Sequence, residues 1–108
     1  METPKVLGQV VPSATVLTTL YTVPASTSTV LSGIDVCNQN ASNIKFRISV
    51  AIGGAADTPA QYRFFDVLLI ANMTATVMIG ATLSAADVVR VQSDTSSVSF
   101  NASGVEVQ

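Results

Sequence analysis

The sequence predicts an all-β chain: a single-domain antiparallel β-sandwich of about eight strands, jelly-roll or immunoglobulin-like. Three observations predict it. Of 108 residues, 34 are Val, Ile or Thr, side chains that fit a pleated, half-buried surface. Extended apolar stretches recur at short spacing, separated by Pro, Gly and Asn, as in sandwiches and barrels. No window of a dozen residues carries apolar positions at the three-four spacing of a helix. The best helical candidate, Leu83–Asp87, makes one turn at most.

Each strand has its own warrant. Lys5–Val11 is extended and stopped by Pro12; Val16–Val23 follows and Pro24 ends it. Residues 1–11 read as an N-terminal arm or edge strand, and 12–108 as the sandwich domain. In Val30–Asn38, strict alternation sets Val30, Ser32, Ile34 and Val36 against Leu31, Gly33, Asp35 and Cys37. Ile44–Ile52 is the clearest strand: Ile44, Phe46, Ile48, Val50 and Ile52 share one parity, and Lys45, Arg47, Ser49 and Ala51 take the other. A slip of one residue would expose five large apolar groups, so the register is fixed. Burial of each is worth roughly 1.5–3 kcal/mol.

Gly53-Gly54 and Pro59 bracket a loop. Gln61–Ile70 is apolar on both faces, with Tyr62, Phe64 and Leu68 against Phe65, Val67 and Leu69. A strand covered on one side only should alternate, so something is expected to cover its second face. Asp66 interrupts the strand. If buried it needs a partner, and Arg47 or Arg63 would serve. Thr74–Ile79, ended by Gly80, and Val88–Gln92 are short strands. Val98–Phe100 leads through a Ser103-Gly104 bulge to Val105 and Val107.

Only 12 residues are charged and 24 are Ser or Thr, against about a quarter charged in an ordinary soluble domain. Hydroxyls must do much of the wetting. Interfaces are depleted in Lys, Glu and Asp, so the composition points to an obligate oligomer. Five basic residues and a net charge of −2 exclude a phosphate-binding footprint and hence nucleic acid as a partner. No apolar run approaches the roughly 18 residues of a bilayer span, and Met1–Lys5 has no secretion-signal character, so a soluble chain made in the cytosol is expected.

Histidine is absent, which removes Ser-His-Asp and Cys-His catalysis and the commonest zinc ligand. The only lysines, Lys5 and Lys45, lie near the terminus and on a polar strand face. The carboxylates Asp35, Asp57, Asp66, Asp87 and Asp94 are scattered singletons, suited to loops and caps. No cofactor, metal or small-molecule substrate is expected. Cys37, the single cysteine, reads as a small buried strand residue. Asn40, Asn72 and Asn101 begin N-x-S/T triplets; without a secretion signal they read as turn and strand residues, Asn40 and Asn72 suiting left-handed turns.

Tyr21-Thr22-Val23-Pro24-Ala25, Ile34-Asp35-Val36-Cys37-Asn38, Phe46–Ala51, Asp87–Val91 and Val98-Ser99-Phe100-Asn101…Gly104-Val105-Glu106 together resemble a small β-module common in the structural proteins of tailed bacteriophages. The likeness runs from about Gly8 to the end of the chain, and its motifs are packing and turn residues. It implies a capsid decoration (cement) protein or, as the alternative, a tail, baseplate or fibre module that meets other virion proteins or a host receptor. For the decoration role, the expected partners are further copies of the chain, as a trimer, and the major capsid protein on the outer surface of the virion. The expected contacts are Lys5, Val6, Leu7 and Val10 in the first segment and Tyr62, Phe64, Phe65 and Asp66 in the two-faced strand.

Overall fold

The computed structural model of the chain describes all of residues 1–108. Nine strands follow in order: β1 (Glu2–Val10), β2 (Thr18–Thr22), β3 (Ser28–Asn38), β4 (Ile44–Ala51), β5 (Tyr62–Leu69), β6 (Thr74–Val77), β7 (Thr82–Leu83), β8 (Val88–Ser93) and β9 (Val98–Val107). They form two antiparallel sheets. One has the order β1-β9-β3-β6, with β7 also paired to β3; the other has the order β2-β8-β4-β5. The two short strands β6 and β7 pair with successive parts of β3 and together fill one strand position. The pairs β1·β9, β2·β8, β3·β6/β7 and β4·β5 are nested, as in one long hairpin rolled over two sheets. That is the jelly-roll arrangement, which decides between the two sandwich topologies the sequence leaves open. The ninth strand, the dipeptide β7, is too short to show any periodicity.

The core lies between the sheets. Leu31, Ile34, Val36, Val98, Phe100 and Ala102 face Ile44, Phe46, Ile48, Val89 and Val91, all fully or almost fully buried. Phe46 spans the gap, meeting Phe100 edge-on at 6.2 Å between ring centroids. β4 keeps its alternation, with Ile44, Phe46, Ile48 and Val50 inside. Ile52, expected as the fifth of that set, leaves the strand in a 3-10 turn (Ile52–Gly54) and is 78% exposed.

Bulges explain the other departures from simple alternation. On β3, Leu31 pairs with Gly104 and Gly33 with Ser103, so Ser32 is an extra residue. The parity therefore reverses there: Thr29 and Leu31 point inward before it, Ile34 and Val36 after it, and Val30 is exposed. The bulge expected on β9 at Ser103-Gly104 lies instead on both its neighbours: Ser32 of β3 is extra opposite that dipeptide, and Leu7 of β1 is extra one step along, opposite Ala102-Ser103. Gly104 is needed there: a Cβ would lie 2.3 Å from the Val30 carbonyl oxygen. Cys37, expected buried, is half-exposed on the outer face between Ser99 and Thr74. Asn72 has a left-handed φ of 58°; Asn40 does not, and instead bonds through its side chain to Asn38 and to the Ser96 carbonyl.

Residues 2–10 form an edge strand, paired with β9 along its length. Each sheet edge is unsuited to adding a further strand. β1 carries Pro4, Lys5 and the Leu7 bulge, β2 is short and bulged at Leu20, β5 is bulged twice, and β6 and β7 are fragments. Prolines, lysines, bulges and short strands are the usual guards against edge pairing.

Candidate functional site

The second apolar face expected of β5 turns out to be a consequence of its bulges. Ser49 pairs with Tyr62 and Ile48 with Phe64, leaving Arg63 extra; Phe46 pairs with Val67, leaving Phe65 and Asp66 opposite the single residue Arg47. Asp66 takes the left-handed conformation (φ 53°) that this requires. The two displacements put Phe64 inward against Phe46, at 6.2 Å, and leave Phe65 on the surface, 58% exposed. No second layer covers the strand.

On the outer face of this sheet, Lys45 and Arg47 stand on β4, Arg90 and Gln92 on β8, and Tyr62, Phe65, Asp66 and Leu68 on β5. Arg47 is their organising residue. Its Nε donates to Asp66 Oδ1 at 2.6 Å and its Nη2 to Asp66 Oδ2 at 3.2 Å. Its guanidinium carbon lies 3.9 Å from the centroid of the Phe65 ring. Tyr62 meets Phe65 edge-on at 5.3 Å and donates its hydroxyl to Asp57 at 3.0 Å. Asp57, Tyr62, Phe65, Arg47 and Asp66 thus form one connected chain. The Arg47 hydrogen bond holds the Asp66 carboxyl below its usual range, and Asp66 in turn raises Arg47. Partial burial, followed by the bond to Asp57, pushes the Tyr62 phenol up. Asp66 has the Arg47 partner expected of it, but as an exposed pair.

Beside this chain is a cleft of about 260 Å³ with no apolar residue in its wall. Lys45, Arg47, Asp66, Gln92 and Asp94 line it, with Thr15 from the β1–β2 connection. Asp94 is anchored by its Oδ1, which accepts from the Lys45 amide at 3.1 Å. Neighbouring strands supply all of these except Thr15 and Asp94, which lie in connections.

A second polar cluster sits between the sheets. The Tyr21 hydroxyl donates to Glu106 Oε2 at 2.6 Å and lies 2.8 Å from Thr29 Oγ1. Lys5 Nζ approaches Glu106 Oε1 at 3.2 Å. Burial, then the bond to Glu106, pushes the Tyr21 phenol from 10.0 up to about 12, and the Tyr21 hydrogen bond lowers Glu106. This cluster ties β1, β2, β3 and β9 together and has no opening for a ligand among the cavities present. A third feature is a shallow, largely apolar groove lined by Arg63, Phe64, Met78 and Ile79.

The expected contact residues divide between opposite sides of the sandwich. Lys5, Val6, Leu7 and Val10 lie on β1: Lys5 is held by Glu106, Leu7 and Val10 pack against the core, and Val6 alone of the four is an exposed apolar side chain. Tyr62, Phe64, Phe65 and Asp66 lie on β5, the far edge of the other sheet. The structure brings together the last group, with Phe64 turned inward, and keeps the two groups apart. Thr15, Gln92 and Asp94 were not foreseeable as a set, because the sequence carries no marker that brings three distant polar residues to one face. No group of three His, Cys, Asp or Glu side chains is placed to hold a metal ion. The cleft gathers two bases, two carboxylates and the Gln92 amide on one face of the sheet.

No protein-family model, curated protein or solved structure matches the chain.

Proposed function

We propose that the chain is a non-enzymatic structural protein of a virion, a decoration protein that sits on a capsid shell and ties neighbouring subunits together. The observation that carries this reading is the row of exposed apolar side chains along β5 and the turn after it: Phe65, Leu68, Ile70 and Met73. A row of exposed apolar side chains along one strand of a weakly charged molecule suits a surface that partners cover. Because every sheet edge is guarded, the contacts run through side chains and not through sheet extension. The jelly roll is used in viral capsid domains, which supports the reading by fold-level analogy alone. Its partners on this reading are two further copies, forming a trimer, and the major capsid protein. Binding to the assembled lattice and not to free subunits stabilises the shell by mass action.

The test is particle binding by the purified chain, with its mass measured by light scattering. Wild type should be trimeric and should decorate undecorated shells; Leu68→Asp and Ile70→Asp should abolish both without lowering the melting temperature. A monomer that ignores shells, or a chain present in a handful of copies per particle, would overturn the proposal.

A further inference from the structure

We propose that the cleft walled by Lys45, Arg47, Asp66, Gln92 and Asp94 binds a neutral saccharide through its hydroxyl groups. The inference goes beyond the decoration role and does not depend on it.

Charge selects the ligand class. Two cations, Lys45 and Arg47, face two carboxylates, Asp66 and Asp94, so the wall has no net charge. A phosphate or carboxylate ligand would meet both carboxylates, and a cation would meet both bases. Hydroxyl groups suit such a wall, because each both donates and accepts. The available groups are of both kinds. Lys45 Nζ and the Gln92 amide have no hydrogen-bond partner within the protein, and neither does Asp94 Oδ2. The volume, about 260 Å³, lies just below the small end of ligand pockets, roughly 300–1,000 Å³, and suits one sugar ring better than an extended ligand.

Preorganisation supports the same reading. Arg47 is held between the Phe65 ring and the Asp66 carboxylate, and Phe65 is braced by Tyr62. Arg47 and Asp66 therefore need not be ordered on binding, which spares affinity that flexible side chains would lose.

The experiment titrates the intact chain with glucose, galactose, mannose, N-acetylglucosamine and their short oligomers. Glucuronic and sialic acids serve as acidic comparators, and amide shifts and calorimetry are the readouts. At least one neutral sugar should shift the amides of Lys45, Gln92 and Asp94, with an affinity unchanged by raising the salt. Gln92→Ala and Lys45→Ala should each weaken that sugar about two- to tenfold. Phe65→Leu, which removes the ring that holds Arg47, should weaken it as well, while Ile79→Ser, on the apolar groove, should leave it unchanged. Gln92 and Lys45 make no internal hydrogen bond through their side chains, so both variants should melt with wild type. Failure of every neutral sugar to bind, preference for the acidic sugars, or binding indifferent to Gln92→Ala and Lys45→Ala would each overturn the proposal.

Discussion

The two open sides of the sandwich are finished in opposite ways. On the β1–β2 side the sheets are drawn together. Gly8 lies so close to β2 that a Cβ there would be 2.2 Å from the Leu20 carbonyl oxygen, and the Tyr21–Glu106–Lys5 cluster fills the seam. On the β5–β6 side the sheets are tied at one end only, where the buried Asn38 amide on β3 donates to the Leu69 and Ile70 carbonyls at 3.3 and 3.2 Å, and the rest of the seam is open. Apolar side chains such as Leu68 and Ile79 stay exposed, at 57% and 75%, and a groove lies open between Phe64 and Met78. The same chain seals one seam with backbone proximity and buried polar bonds, and closes the other only at its Asn38 end, leaving the remainder as surface. Stability should therefore depend on the first side and association on the second.

Two glycines break the comparison most directly. Gly8→Ala forces a methyl group into the Leu20 carbonyl, which is backbone and cannot rotate away. The expected cost is about 3 kcal/mol, the upper end for overpacking, a fall in Tm of roughly 12–24 °C. Gly80→Ala on the open side has nothing within 4 Å of the new Cβ and pays only for its φ of 80°, about 1–2 kcal/mol. Thermal melts of the two variants check the order. Equal losses would mean that the β1–β2 seam has no special role.

Tyr21→Phe is the next largest. It keeps the ring and removes the hydroxyl, leaving one oxygen of a buried carboxylate without its donor. Loss of a hydrogen bond to a charged group should cost about 1.5–3 kcal/mol, measured by urea unfolding. Tyr62→Phe, its counterpart on the open side, removes an exposed bond to Asp57 and should scarcely move the midpoint.

The glycine and tyrosine contrasts rest on features unequally visible in the sequence. β4 was legible because Ile44, Phe46, Ile48 and Val50 alternate without interruption. β3 has an equally regular appearance, yet one extra residue, Ser32, reverses which side chains are inside. Period two has no internal mark for a bulge, so parity is readable only up to the first one. In β5 two bulges turn an apparently two-faced strand into one with Phe64 inside and Phe65 outside. Of the cleft, only the need of Asp66 for a base was legible, since an Asp in an apolar strand demands one, and Arg47 and Arg63 both remained open; the second bulge of β5 decides for Arg47. Gln92, Asp94 and Thr15 reach it through the nested strand pairing. The seam around Tyr21 and Glu106 was likewise hidden, because its residues stand 85 positions apart.

The pH dependence of stability sharpens the contrast further. Tyr21 has its pKa raised from 10.0 to about 12 in the folded protein. Its contribution is fully present below about pH 10 and is lost as the pH rises towards 12, because the unfolded chain ionises first. Glu106 is shifted the other way, from 4.5 downward. Its contribution is fully present above about pH 4.5 and is lost as the pH falls through the depressed value. Unfolding midpoints between pH 8 and 12 should therefore fall steeply in wild type and in Tyr62→Phe, and much less in Tyr21→Phe. Identical alkaline limbs in wild type and Tyr21→Phe would place the titrating group elsewhere.

The smallest effect on stability should come from the open side itself. Leu68→Ser and Ile79→Ser replace exposed side chains that fill no internal space, so each should leave the folding free energy within about 0.5 kcal/mol of wild type. What should change is association. If the unsealed seam is a surface kept for partners, the double variant should stay dissolved at concentrations where wild type self-associates, and light scattering would register a lower mass at an unchanged melting temperature. A double variant that instead loses several degrees of Tm would show that these side chains already support the fold of the single chain. The two sides would then differ only in how they are sealed, and not in what they are for.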